Sequence, residues 1–382
     1  MKKLNHKSFV FISIVYLFFN KVGLPFGLLY TTVLAPLFYI GIIKNYKKDW
    51  LQYFILILIL YLSVHSLYGI EVYYYFRSLL LLIAVIIGGV ALYYKLPEIT
   101  DIRRIFKILI IINFIFALIS LALINTDFGD ELWSKNKMIS NYVFATRLTM
   151  LSYEPSYYAA LIIPLCIYSY LFFIANKNLK SFIYFLMTSV PLILAFSFGI
   201  LSLYLFAISI ILLYDVFIKG RYFLLLVPIL VAFITTMVFE NSFTTRAINV
   251  FQGNDSSGQS RTIDALDKSL AISEKAGPFL GSGFGQLKLL GDRIIGNPTL
   301  DTFRLPNYMA EALVTLGWSG VILILGLQVY LLYKTKSYKN KFCLSLFIIG
   351  FGMQFTGSFM TNVVQYVIWA FAFSPVFEEF DF

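Results

Sequence analysis

Long apolar segments separated by short polar connections make up most of the chain. Continuous apolar runs predict α-helices and do not fit the alternating pattern of a transmembrane β-barrel. A helix needs about 20 apolar residues to cross the hydrocarbon core of a bilayer. Twelve segments meet or approach this length, at residues 8–22, 25–43, 51–69, 77–95, 105–124, 157–175, 181–196, 199–217, 222–239, 307–333, 342–357 and 361–376. The pattern therefore predicts an all-α fold, a polytopic transmembrane helical bundle of about 12 spans in one integral membrane domain over residues 1–382.

Two longer polar intervals interrupt this pattern, at residues 125–156 and 240–306. Because apolar segments flank both intervals, each is predicted to be a loop outside the membrane. The longer loop is predicted to be partly helical, since residues 261–275 have the periodicity of an amphipathic helix.

The apolar face of this loop helix is predicted to contain Ile263, Leu266 and Leu270. Ser260 is its predicted N-cap, because serine commonly accepts a hydrogen bond from the first helical turn. The dipeptide Gly277-Pro278 is predicted to end it.

Composition and charge agree with a membrane protein. Of all residues, 59% are hydrophobic and 13% are charged, whereas soluble domains contain roughly 25% charged residues. The net charge of +10 does not indicate a nucleic-acid partner, since lysine and arginine in membrane proteins concentrate in cytoplasmic loops. Placing the N-terminus in the cytoplasm puts most short basic connections there too. This arrangement predicts cytoplasmic N- and C-termini and places both long loops on the outer side.

The sequence offers little for metal chemistry. Cys166 and Cys343 lie inside apolar segments, where packed thiols are expected. The two histidines, His6 and His65, are too few for a histidine-based site. We therefore expect neither a metal nor a cofactor.

The long loop contains seven basic and seven acidic residues. A loop with balanced charge is not a general anion-attracting patch. An anion would therefore have to be bound by particular arginines, and the loop contains Arg246, Arg261, Arg293 and Arg304.

A carboxylate lies where the sixth apolar segment begins, at Glu154-Pro155, a short distance after Arg147. Proline and an acidic residue are both common at a helix start, so one interpretation is purely structural. The other is that Glu154 accepts a proton from a sugar hydroxyl. Tyr157 and Tyr158 belong either to the aromatic belt at the membrane surface or to a surface that stacks on sugar rings.

Residues 277–285 read Gly-Pro-Phe-Leu-Gly-Ser-Gly-Phe-Gly. No strand is predicted before them, so they are not a dinucleotide-binding fingerprint. They form either a tight turn or a place where backbone N–H groups, at Gly281 and Gly283, approach a phosphate. Beyond them, Asn307 begins the tenth apolar segment.

Taken in order, these features resemble the O-antigen polymerase and O-antigen ligase superfamily of bacterial membrane glycosyltransferases. The resemblance extends from the sixth span through the eleventh. It rests on Glu154-Pro155, on Arg261 before the loop helix, and on a set of glycines and one asparagine: Gly281, Gly283, Gly285, Asn307, Gly317 and Gly320. Two positions depart from the family pattern. Pro306 replaces the histidine of the ligases, which favours a polymerase, and Ser197-Phe198-Gly199 replaces a Ser-Arg-Gly turn.

The resemblance implies a polymerase of oligosaccharide repeat units, a metal-independent inverting glycosyltransferase. The growing chain would move from undecaprenyl pyrophosphate to a sugar hydroxyl of the next lipid-linked unit, on the periplasmic side of the bacterial inner membrane. The implied partners are this lipid-linked oligosaccharide, membrane lipid and a chain-length regulator protein.

The resemblance also implies roles for individual residues. Arginine suits a departing pyrophosphate because its planar fork is always charged. The candidates in order of preference are Arg261, Arg304, Arg147 and Arg246. Glu154 is the expected base, catalytic together with Arg261. Further substrate-binding residues are expected at Tyr157, Gly281, Gly283 and Asn307.

Two other functions stay open from the sequence. An O-antigen ligase would transfer glycan to the lipid A core, and Pro306 argues against it. A non-enzymatic flippase would move lipid-linked sugars across the membrane. Transporters often contain repeated halves, and no internal repeat is visible in this sequence.

Overall fold

A computed structural model describes residues 6–18, 23–24, 28–43, 49–67, 70–134, 146–219, 256–287 and 305–380. These residues are mostly helical. The helices are α1 (His6–Phe18), α2 (Tyr30–Ile43), α3 (Asp49–Ser66), α4 (Val72–Lys95), α5 (Ile102–Ala122), α6 (Asp127–Leu132), α7 (Pro155–Asn176), α8 (Leu179–Ala195), α9 (Phe198–Lys219), α10 (Ser256–Arg261), α11 (Ile263–Ala276), α12 (Tyr308–Lys334), α13 (Lys341–Thr356) and α14 (Val363–Phe373). Short 3-10 turns follow α4, α12 and α14, at Leu96–Glu98, Ser337–Lys339 and Pro375–Glu379.

Strands make a small contribution in the described ranges. The two-residue strands β1 (Gly23–Leu24) and β2 (Leu28–Leu29) pair antiparallel, as do β3 (Trp133–Ser134) and β4 (Arg147–Leu148). The second pair joins the two ends of the shorter polar interval.

Within the described residues, four helices are long and apolar enough to cross a membrane, at Val72–Glu98, Ile102–Ala122, Pro155–Asn176 and Tyr308–Lys334. Several shorter helices are also apolar. The prediction of an all-α protein with apolar helices is therefore confirmed for this part of the chain. Eleven of the predicted segments coincide with helices, and the segment at 222–239 lies outside the described residues. The number of spans stays a prediction.

Helix α7 occupies the centre of the bundle. It is apolar on all sides, and a helix of that kind is stable only when other elements surround it. It packs against α8, α9, α13 and α14. The hydroxyl groups of Ser169 in α7 and Thr188 in α8 satisfy each other at 2.6 Å inside this apolar core. This bond lies in the second half of α7, and the first turn of the same helix contributes to the site.

One end of the bundle is rich in basic residues, and we call it the basic end. It comprises Lys95, Arg103, Arg104, Lys107, Lys177, Lys180, Lys334, Lys336, Lys339 and Lys341. At this end, Asn340 joins the start of α13 to the segment after α14, because its Nδ2 donates to the carbonyls of Phe377 (2.7 Å) and Phe380 (3.3 Å). The basic end coincides with the predicted cytoplasmic connections, and its orientation in a membrane stays a prediction.

The glycine-rich stretch 277–285 packs into a break in α12. The break lies at Gly317, whose backbone is left-handed (φ 67°, ψ −172°). Four backbone hydrogen bonds join the stretch to both sides of the break: Ser282 N to Val314 O (2.8 Å), Gly283 N to Thr315 O (3.0 Å), Trp318 N to Pro278 O (2.9 Å) and Ser319 N to Phe279 O (3.1 Å). The long loop is therefore anchored to the bundle through main-chain contacts.

Alanine at Gly281 is expected to lower the stability of the protein strongly. Gly281 has φ +73°, and a Cβ there would lie 2.4 Å from the backbone of Thr315. A left-handed non-glycine residue and an overpacked contact each cost about 1–3 kcal/mol, so we expect a loss of roughly 2–5 kcal/mol. Thermal unfolding in detergent measures the effect.

Gly326→Ala is the matched control, because Gly326 lies in the same helix α12 and a Cβ there meets nothing within 4 Å. Alanine in a helix interior is favoured over glycine by about 1 kcal/mol, so this variant should be as stable as the parent or more so. Equal melting temperatures for the two variants would show that the packing at Gly281 is not important.

Candidate functional site

The loop helix predicted over residues 261–275 is divided into α10 and α11, with Thr262 between them in a non-helical conformation (φ −110°, ψ −84°). The prediction that Ser260 caps this helix is wrong, because Ser260 lies within α10. The hydroxyl of Thr262 does not cap α11 either, since it donates back to the carbonyl of Gly258 at 2.8 Å. Gly277 follows α11 with φ +119°, as the predicted end. The break leaves Arg261 as the last residue of α10.

Leu266 is partly buried against the apolar cluster that joins α11 to α12, but the other two residues of the predicted apolar face are wrong for α11. Its buried residues are Ala265, Ser269, Ile272 and Ser273, whereas Ile263 and Leu270 are exposed. The buried face is formed mostly by small side chains, which allow α11 to approach the start of α12 closely. This packing places Arg261 beside the first residues of α12.

A cavity of about 130 Å³ opens where several helices begin or end. Its walls come from the starts of α7, α9 and α12, from the end of α10, and from the connection between α13 and α14. The lining residues are Glu154, Ser156, Tyr157, Ser197, Gly199, Ile200, Arg261, Pro306, Thr356, Gly357, Ser358 and Phe359. The structure thus brings Glu154 and Arg261, which are far apart in the sequence, to one cavity.

Glu154 is the N-cap residue of α7, with an extended backbone (φ −138°, ψ 155°) and Pro155 in the first helical position. Proline restricts the residue before it to this extended conformation, so the Glu-Pro pair determines where α7 starts. The Glu154 side chain makes no capping hydrogen bond, and it accepts one hydrogen bond from Ser156 Oγ at 3.2 Å. The positive end of the α7 dipole favours a negative charge there, and the carboxylate is available to a bound molecule.

Arg261 contributes the positive charge of the cavity. Its side chain is exposed, and within the described part of the chain its guanidinium forms no ion pair with a carboxylate. Tyr157 lines the same cavity as Arg261 and Glu154. The Tyr157 ring lies 5.4 Å from that of Phe359, measured between centroids. A carboxylate, an arginine and a tyrosine therefore share one polar wall.

Of the other predicted site residues in the described part of the chain, only Tyr157 lines the cavity. Arg147 lies in β4 and is not among the residues that line the cavity. Arg246 and Arg304 lie outside the described residues. Tyr158 has only 2% of its surface exposed, so its ring cannot stack on a sugar, whereas Tyr157 lines the cavity.

Gly281 and Gly283, which are predicted to bind substrate, are not among the lining residues of the cavity. The N–H of Gly281 donates to Gly277 O (2.9 Å) and the N–H of Gly283 donates to Thr315 O (3.0 Å). Both groups are therefore occupied by protein carbonyls, which favours the interpretation as a tight turn over an approach to phosphate. Asn307 is fully buried, and its side chain contacts other parts of the protein rather than the cavity.

Sequence reasoning missed one wall of the cavity. It contains Thr356, Gly357 and Ser358, which lie at the end of the span predicted at residues 342–357 and directly after it. Ser156 and Ser197 add further hydroxyl groups. The sequence feature that could have identified this wall is a run of small polar residues between apolar segments, on the same predicted side as Glu154.

Comparison of the chain with protein-family models and with curated proteins found no match.

Proposed function

We propose that the protein polymerises lipid-linked oligosaccharide repeat units. In this proposal the growing glycan is transferred from undecaprenyl pyrophosphate to a hydroxyl of the next unit, at the periplasmic surface of the inner membrane. The observation that carries the proposal is the convergence of Glu154 and Arg261 on one cavity at the end of an apolar helical bundle.

The two groups suit the two halves of a glycosyl transfer. The acceptor hydroxyl oxygen attacks the anomeric carbon of the donor, and the bond from that carbon to the pyrophosphate oxygen breaks. The pyrophosphate leaves with the bonding electrons, and the guanidinium of Arg261 stabilises its charge. Glu154 takes the proton of the acceptor hydroxyl. A single displacement of this kind inverts the anomeric centre.

The rest of the cavity wall suits a saccharide. Ser156, Ser197, Thr356 and Ser358 line the cavity together with Glu154, and Ser156 Oγ donates to the carboxylate at 3.2 Å. Thr356 and Ser358 donate their hydroxyl protons to the carbonyls of Gly352 (3.5 Å) and Leu305 (3.1 Å), so their oxygens can accept hydrogen bonds from sugar hydroxyls. Aromatic rings are also present at Tyr157 and Phe359, so the wall offers the mixed polar and aromatic surface that sugars require.

Pro306 bears on the choice between polymerase and ligase. It lines the cavity at the position where the resemblance places a histidine in ligases. Proline has no group that can transfer a proton or donate a side-chain hydrogen bond. The cavity therefore lacks that ligase feature, which supports the polymerase.

The proposal is tested by incubating the purified protein with lipid-linked repeat units. The expected result is a ladder of products that differ by one repeat unit, together with release of undecaprenyl pyrophosphate. Absence of chain extension by a folded protein, with repeat units of several compositions, would contradict the proposal.

A cellular experiment separates the polymerase from the ligase. Loss of a polymerase leaves single repeat units on the carrier lipid. Loss of a ligase instead leaves long chains on that lipid. Deletion of this protein is expected to give the first result.

A further inference from the structure

Asn307 connects three elements at the cavity through one side chain. Its Oδ1 accepts a hydrogen bond from the N–H of Ala310 (3.1 Å), which caps α12. Its Nδ2 donates to the carbonyls of Arg261 (2.9 Å) and Phe355 (2.9 Å). The side chain is fully buried, and a buried amide with satisfied hydrogen bonds holds its partners in one geometry.

The bond to the Arg261 carbonyl lies where the helical structure of the long loop is interrupted. The helical backbone is interrupted at Thr262, directly after Arg261. A side-chain donor at this carbonyl therefore ties the end of α10 to the first residues of α12. The bond to Phe355 ties the same point to α13, just before Thr356 and Gly357 in the cavity wall.

We propose that Asn307 is a positioning residue for Arg261: its amide fixes the end of α10 and so sets where the guanidinium enters the cavity. This inference rests on the proposed function, because it concerns the arginine that stabilises the leaving pyrophosphate. It differs from the expectation that Asn307 binds substrate, since both of its polar atoms contact the protein.

Asn307→Ser tests the proposal. Serine remains a good N-cap, so α12 keeps its cap, while the two amide donors are lost. A displacement of a catalytic group by about 1 Å can cost ~10²-fold in rate. We therefore expect the rate of chain extension to fall by ~10–10²-fold, with a smaller change in the KM for the lipid-linked unit.

Asn340→Ser is a close control. Asn340 also caps a helix, accepting from Cys343 N at 3.0 Å, and its Nδ2 also donates to two backbone carbonyls. It lies at the basic end, away from the cavity. Both variants should lower the melting temperature by similar amounts, and Asn340→Ser should keep the wild-type rate. Equal losses of rate in the two variants would overturn the proposal.

A double-mutant cycle with Asn307→Ser and Arg261→Ala distinguishes a positioning role from a general structural role. The measured quantity is the rate of chain extension. If Asn307 acts through Arg261, then Asn307→Ser should have little further effect on the rate of an Arg261→Ala protein. Additive losses would overturn the proposal. Asn307→Thr, which also keeps an N-cap hydroxyl and loses the donors, replaces the serine variant if that protein does not fold.

Hydrogen–deuterium exchange distinguishes failure of this inference from failure of the proposed function. Residues 256–262 should exchange faster in Asn307→Ser than in the parent and in Asn340→Ser, whether or not the protein extends glycans. A parent that neither extends chains nor binds undecaprenyl pyrophosphate contradicts the proposed function. If residues 256–262 exchange at the parental rate in Asn307→Ser, the inference that Asn307 fixes the end of α10 is contradicted.

Discussion

Arg261→Ala is expected to reduce the rate of glycan chain extension by ~10²–10³-fold, the usual cost of removing one group that stabilises developing negative charge. The reason is that Arg261 is the basic residue among those that line the cavity, and the departing pyrophosphate needs positive charge. Lipid-linked single repeat units should accumulate in cells. The rate is measured with purified protein and lipid-linked units, and the melting temperature is measured in parallel.

Little loss of stability is expected, because the side chain is exposed and forms no ion pair with described residues. Arg261→Lys keeps the charge but loses the planar fork, so its rate should lie between those of the parent and the alanine variant. Lys268→Ala removes a charge from an exposed position on α11 and is the matched control. A similar loss in Lys268→Ala would indicate a general effect of loop charge and contradict a specific role for Arg261.

The bundle itself could be predicted well from the sequence, because apolar segments of helical length have few alternatives in a membrane protein. Helix α7 illustrates this. Its apolar character on all sides predicts burial, and the Glu154-Pro155 pair predicts its start within a few residues. Both features are local, so they do not depend on which helices lie nearby.

The long loop could be predicted less well, because its structure depends on tertiary contacts. Ile263 and Leu270 are two of the large apolar residues of α11, and periodicity assigns them to the buried face. In the structure the buried face comprises Ala265, Ser269, Ile272 and Ser273, so the side of α11 that faces the start of α12 depends on the tertiary packing. The break at Thr262, whose hydroxyl donates to Gly258 O, is likewise not indicated by the periodicity of the sequence.

In the site, too, residues marked by local sequence features could be predicted, whereas those brought in by tertiary packing could not. Glu154 and Arg261 could be chosen from the sequence because each lies beside a recognisable helix boundary. The wall at Thr356–Ser358 could not, since it becomes part of a cavity only when α13 and α14 are brought against α7 and α12. The role of Asn307 was similarly hidden, because its partners, the carbonyls of Arg261 and Phe355, are distant in the sequence.

Glu154→Gln is expected to reduce the rate of chain extension by ~10²–10⁴-fold, the range for loss of a general base. Glutamine preserves the length of the side chain and can still accept the hydrogen bond from Ser156, but it cannot take a proton from the acceptor hydroxyl. Binding of the lipid-linked unit should change much less than the rate, which a comparison of KM with kcat detects. Since the side chain does not cap α7 in the described structure, the melting temperature should change little.

The same variant decides between the two interpretations of this carboxylate. If Glu154 only marks the start of α7, then Glu154→Gln should extend chains at the parental rate, since Pro155 and the extended backbone before it are retained. Glu274→Gln removes an exposed carboxylate from α11 and should leave the rate unchanged in either case. Glu154→Asp adds a further comparison, because it keeps a basic carboxylate but withdraws it by one methylene from the cavity. A rate for Glu154→Asp between those of the parent and Glu154→Gln is expected for a base whose distance from the acceptor hydroxyl matters, whereas parental rates in both Glu154 variants would assign the residue to helix initiation alone.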